Sequence, residues 1–199
     1  MTYLVETDGF DYKELSLLPD ELTDAFPKDI SPADALHFGR NNLSLSSWWK
    51  PLPSSFIDAL GAPNGDMPDI TTWLNATLVL SPKAYRFLSD LTKPWGEMLP
   101  LLIGKKTFFL FNAQHFGAPD EDAFQYDGTE LNTLIKPAFQ LSDVQDKLLY
   151  KCPVIGAGSL YCNDRFKDAV ESFRLKGISF DKDLTTLWAR KLPPESLDT

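Results

Sequence analysis

The segment Gly158–Phe180, reading GSLYCNDRFKDAVESFRLKGISF, narrows the possible folds more than any other stretch of the chain. Ser159 to Cys162 is a short apolar run carrying an aromatic ring and a thiol, a pattern suited to a buried strand. A helix is predicted to follow it. Asn163 or Asp164 supplies a side-chain oxygen for the first free amides, and Phe166, Ala169, Val170 and Phe173 then recur at the spacing of one helical face. Leu175 extends that face, and Gly177 is placed to end the helix in a left-handed conformation. Ile178 and Phe180 open another strand, which completes a strand–helix–strand unit.

The other elements are read in the same way. Thr2 to Val5 is a short strand, and Ser31-Pro32 starts a helix of one or two turns over Ala33 to Phe38. Trp48 and Trp49 are expected to point opposite ways in an extended chain, one into the core and one outward as an anchor for a partner. Gly61 to Asp66 is a loop within the domain. Ala76 to Leu80 is an apolar strand, followed by a helix from Pro82 to about Leu91 whose Tyr85, Leu88 and Leu91 form an inward stripe. Met98–Ile103 and Thr107–Phe111 make a hairpin through Gly104-Lys105-Lys106. Ala138 to Leu141 and Leu148 to Tyr150 read as strands, Pro153 to Gly158 as a turn, and the tail over residues 189–199 is expected to fray. No internal repeat is visible. The pattern predicts an α+β fold, a mainly antiparallel sheet with a few short helices packed against it, in a single domain over residues 1–199.

Composition excludes several function classes. With 43% hydrophobic and 13% aromatic residues, 199 residues suffice for a packed core without disulfide or metal staples. A net charge of −9 disfavours nucleic acid, whose phosphates would be repelled, but suits a basic protein partner. Met1–Glu6 turns acidic at once, unlike a signal peptide, and no apolar run reaches membrane-spanning length; the expected location is cytoplasmic, with no membrane contact. In that reducing setting Cys152 and Cys162 are expected to be free thiols.

Enzymatic patterns run short. His37 and His115 lie in no nucleophile-elbow or comparable setting, and Gly156-Ala157-Gly158-Ser159 lacks the third glycine and the helix of a dinucleotide site. Two cysteines without a CxxC pair cannot supply a structural zinc site. The densest feature is instead the acidic loop Pro119–Glu130, with five carboxylates and no cation. Its Asp120, Glu121, Asp122 and Asp127 miss the EF-hand spacing, so a solvated loop explains them better than a calcium site or an acid–base pair. Phe124 and Tyr126, interleaved with the acids, either tuck the loop onto the core or face a partner. A second acidic stretch, Glu6 to Asp34, offers only Lys13 and Lys28 against nine carboxylates.

Two blocks carry a resemblance. Asn163 to Phe180, and upstream Leu80-Ser81-Pro82-Lys83-Ala84-Tyr85-Arg86-Phe87-Leu88 with Gly96 to Leu101 and Thr107 to Asn112, resemble a bacterial immunity-protein family whose members protect a cell from polymorphic toxins. The matches span roughly residues 67 to 112 and 138 to 181 within a family-like part, 67–181; residues 1–66 show no such pattern. Neither block contains a catalytic signature. The resemblance implies a cytoplasmic inhibitor, not an enzyme and without cofactor, that occludes one cognate toxin delivered by a contact-dependent or contractile secretion route. The expected toxin-facing residues are Asp120, Glu121, Asp122, Phe124, Tyr126 and Asp127, with the N-terminal acidic arm as the rival patch. The competing readings are a hydrolase-type enzyme that reverses a toxin's modification and a non-catalytic adaptor.

Overall fold

In a computed structural model, which describes residues 1–8, 11–17, 19–59, 64–154 and 158–185, the chain builds two principal sheets that share a core. The elements run β1 (Thr2–Thr7), β2 (Glu14–Leu15), α1 (Pro19–Ala25), α2 (Pro32–Leu36), β3 (Leu52–Ser54), β4 (Phe56–Ile57), β5 (Ile70–Trp73) and β6 (Thr77–Leu80). They continue with α3 (Pro82–Thr92), β7 (Gly96–Ile103), β8 (Lys106–Ala113), β9 (Gln125–Tyr126), β10 (Leu134–Lys136) and α4 (Leu141–Val144). The last are β11 (Leu149–Lys151), β12 (Leu160–Asn163), α5 (Asp164–Ser172) and β13 (Ile178–Asp181). One sheet has the order β3-β7-β8-β6-β5, antiparallel except for β3 against β7; the other, β11-β12-β1-β13, is antiparallel throughout. The expected α+β class with a mainly antiparallel sheet is what forms.

Both sheets repeat one plan. β6 and β7 each pair antiparallel with β8, so they run parallel to each other on either side of it, joined by α3. β12 and β13 flank β1 in the same manner, joined by α5. These are two split strand–helix–strand units. Each helix starts directly from its strand on a capping side chain: Ser81 Oγ accepts from the Ala84 amide at 3.2 Å, and Asn163 Oδ1 accepts from the Phe166 amide at 3.3 Å. The residues three and seven past each cap, Ala84 and Leu88 in one helix and Phe166 and Val170 in the other, are buried in the same core. A repetition invisible in residue identities is thus present in topology and capping.

The other face of each sheet has its own cover. Leu99, Leu101, Phe108 and Leu110 pack under the N-terminal region, where Phe38 and Leu45 are completely buried. Tyr161 and Leu4 on the second sheet lie under Val144 and Phe139. Cys152 and Cys162 are free and buried. Residues 61–63 of the expected Gly61–Asp66 loop, residues 155–157 within the expected turn, and the tail 189–199 lie outside the described residues.

Several local expectations are corrected. α5 ends at Ser172, and the left-handed position falls on Arg174 (φ +49°): the Arg174 amide donates to Glu171 O and the Leu175 amide to Val170 O, both at 3.0 Å, while Leu175 is buried beside Val170. Gly177 has φ +110° in the following connection, where an added β-carbon would meet Ile70 O and Pro68. Arg174→Gly therefore relieves an unfavourable backbone conformation and should raise stability by about 0.5–1 kcal/mol in denaturant unfolding. Ala138–Leu141 is not a strand: only Phe139 forms a bridge, to Pro119, and the chain turns into α4 so that the Phe139 ring can cover Tyr150 and Tyr161. Trp48 and Trp49 do not diverge. Their amides both donate to Leu45 O in a turn, which brings the rings to 6.0 Å of each other, half-buried against Phe26 and the first sheet. Neither is an exposed anchor.

Candidate functional site

The acidic loop lies beside the second sheet and is held at several points. The Asp120 amide donates to Ala138 O at 3.0 Å, and the Gln140 amide to Ala118 O at 3.0 Å. The Ala118 amide in turn donates to Asp143 Oδ2 at 2.7 Å, and Lys147 Nζ ties the same carboxylate to Phe116 O. With the amide of Ala118 first and Lys147 next, the Asp143 carboxyl is held below its usual range. Residues 121–123 form a single 3-10 turn, and β9 and β10 close a hairpin behind it. The loop that composition describes as irregular is therefore a fixed platform.

Its six singled-out residues divide by environment. Glu121 and Asp122 are exposed and Asp120 is half-buried; none of the three side chains has a hydrogen bond or ion pair among the described residues. Tyr126 is exposed, Phe124 is half-buried, and their rings meet edge to face at 6.4 Å. Asp127 is different. It is only 5% exposed, and its Oδ1 accepts from the Thr129 amide (3.0 Å), Thr129 Oγ1 (2.9 Å) and the Thr133 amide (3.0 Å). Burial alone would raise its pKa, and the bonds from Thr129 and Thr133 outweigh it, keeping the carboxyl low. Asp127 thus organises the hairpin turn and does not present its charge with the other three. The tip of that hairpin also exposes Leu131.

The rival acidic arm is largely folded onto the first sheet. Two charged side chains fasten the strap 39–46, and sequence reasoning singled out neither. Glu97, at the start of β7, accepts from Ser44 Oγ, from the amides of Leu45 (2.8 Å) and Ser46 (3.2 Å) and from Asn112 Nδ2 (3.1 Å). Burial pushes its pKa up, but the bonds from Leu45, Ser44 and Ser46 outweigh that and hold it below the usual carboxylate range. Lys151, fully buried in β11, donates to Gly39 O at 2.6 Å and Asn42 Oδ1 at 2.7 Å beneath the Phe116 ring. Burial drives its pKa down to about 8.

The groups considered for catalysis are placed otherwise. His115 Nε2 lies 3.1 Å from Pro94 O with its ring against Trp95. Burial raises the Cys162 thiol well above its ordinary value, the opposite of what a thiolate nucleophile needs. Among the described residues no group of three or more His, Cys, Asp or Glu side chains could hold a metal ion, and no helix is long and apolar enough to cross a membrane. Compared with known proteins, the sequence matches no protein-family profile and no curated protein.

Proposed function

We propose that this chain is a bacterial immunity-type protein that neutralises one cognate toxin domain in the cytoplasm by covering it, without turnover or cofactor. The observation that carries this reading is the acidic turn: three carboxylates, Asp120, Glu121 and Asp122, stand without partners among the described residues on a loop fixed by Asp127, Gln140 and Asp143. Charges left unpaired on a rigid platform lose little entropy on binding and complement a basic partner surface. Tyr126 supplies apolar area beside them, with Phe124 supporting its ring. Residual loop flexibility is not needed for recognition, so the surface acts as formed.

The test is kinetic. Asp120→Asn, Glu121→Gln and Asp122→Asn combined should slow association with the toxin about ten-fold at low salt and flatten its salt dependence, with folding intact. Unchanged association rates and salt slope would remove the acidic turn from the interface. Asp127 is left in place because its replacement would disturb the hairpin itself.

A further inference from the structure

A cleft of about 570 Å³ opens beside the β7–β8 turn of the first sheet, lined by no residue of the acidic turn and independent of the function proposed for it. We propose that it binds a small carboxylate carrying a flexible apolar chain, a medium-chain fatty acid in chemical class. Met67, Pro68, Pro82, Ile103 and Phe108 form its apolar lining, and the volume lies within the range of small-molecule sites. Met67 is 49% exposed, so the lining includes apolar surface left open to solvent. Two cations reach the same cleft. Lys106 is two residues before Phe108 and opposite Ile103 in the β7–β8 register, so strand alternation places it on the same face as both. It is exposed and has no hydrogen bond or ion pair among the described residues.

The second cation, Lys83, is already occupied: its Nζ donates to Asp69 Oδ2 at 2.7 Å and to Arg174 O at 3.3 Å. Asp69 also accepts from the Lys176 backbone amide at 3.2 Å, so the one lining carboxylate is balanced by Lys83 and further held by a hydrogen bond. The remaining uncompensated charge in the cleft is that of Lys106, on a protein whose net charge is −9. An apolar trough with one free ammonium at its rim matches a ligand with one carboxylate and an apolar tail. The tail would lie between Met67 and Phe108, and the head would replace water on Lys106 Nζ.

Octanoate titrated into the isotope-labelled full chain, with 1-octanol as the uncharged control, tests the assignment by amide chemical shifts. Saturable shifts confined to residues 67–69, 81–83 and 103–108 are expected, with octanol binding at least ten-fold more weakly. Lys106→Glu, a change at an exposed position, should weaken octanoate at least ten-fold and leave octanol unaffected. Absence of saturable shifts, shifts centred elsewhere, equal affinity for octanol, or octanoate binding insensitive to Lys106→Glu would each overturn the proposal.

Discussion

Phe166→Ala should cost about 3–5 kcal/mol of folding stability, the largest loss expected from any single truncation considered for this chain. The ring is completely buried at the point where α5 leaves β12, and it packs edge to face on Phe180 of β13 at 6.1 Å. It therefore touches every part of one split unit: the capped helix start, the strand before it and the strand after it. The same buried core contains Leu80 and Leu88 of the other unit, so a cavity there would weaken the packing that both sheets share. Denaturant unfolding of the variant should show a lower midpoint with an unchanged slope. A cost under 1 kcal/mol would mean that the two units do not share a core in the way described.

The second large effect is a pH dependence centred on Lys151. Its folded pKa, near 8, lies below the ordinary lysine value of 10.5, because burial penalises the charged form. Between those two values the unfolded chain holds more protons than the folded one, so stability rises with pH across that window. Below pH 8 both states are charged and the full penalty, roughly 3 kcal/mol, is present. Tyr150 and Tyr161, whose pKa values burial raises, act oppositely above about pH 10, where the unfolded tyrosines ionise first. The comparison with Lys151→Met cancels the tyrosine contribution. Between pH 8 and 10 the wild type should gain about 2 kcal/mol relative to the variant. Loss of donors to Gly39 O and Asn42 Oδ1 offsets part of the variant's advantage near neutral pH. A difference independent of pH would show that Lys151 is not held in a desolvated site.

Elements whose cause is local were legible in the residues. Ser81-Pro82 and Asn163 announce α3 and α5 because a cap acts within one turn, and Gly104 marks the β7–β8 turn because that position has φ +58°. What depends on distant partners was not legible. β1 pairs with β12 across about 160 residues and with β13 across about 175, and no local pattern encodes that choice. The left-handed position after α5 fell on Arg174 because burying Leu175 against Val170 outweighed the preference for glycine. The tryptophan pair misled because an extended backbone was assumed where Leu45 starts a turn. α1 was missed, since Pro19–Ala25 is short and acidic, and its apolar Leu22 and the Phe26 that follows it are buried only once the first sheet is there to receive them.

The candidate site shows the same division. Composition alone finds the acidic loop, but whether a carboxylate faces outward depends on its partners. Asp127 and Asp122 look equivalent in sequence, yet only Asp127 has the amides of Thr129 and Thr133 within reach. Glu97 and Lys151 carry no sequence signal, because their importance comes from a strap that lies about 50 and 110 residues away along the chain.

The proposal that this protein acts by covering a toxin and transforms nothing makes one quantitative demand. When increasing amounts of the protein are added to a fixed amount of the active cognate toxin, toxin activity should fall linearly and reach zero at about one molecule per toxin molecule. Complete protection at a small fraction of an equivalent, growing with incubation time, would instead reveal turnover and contradict the account.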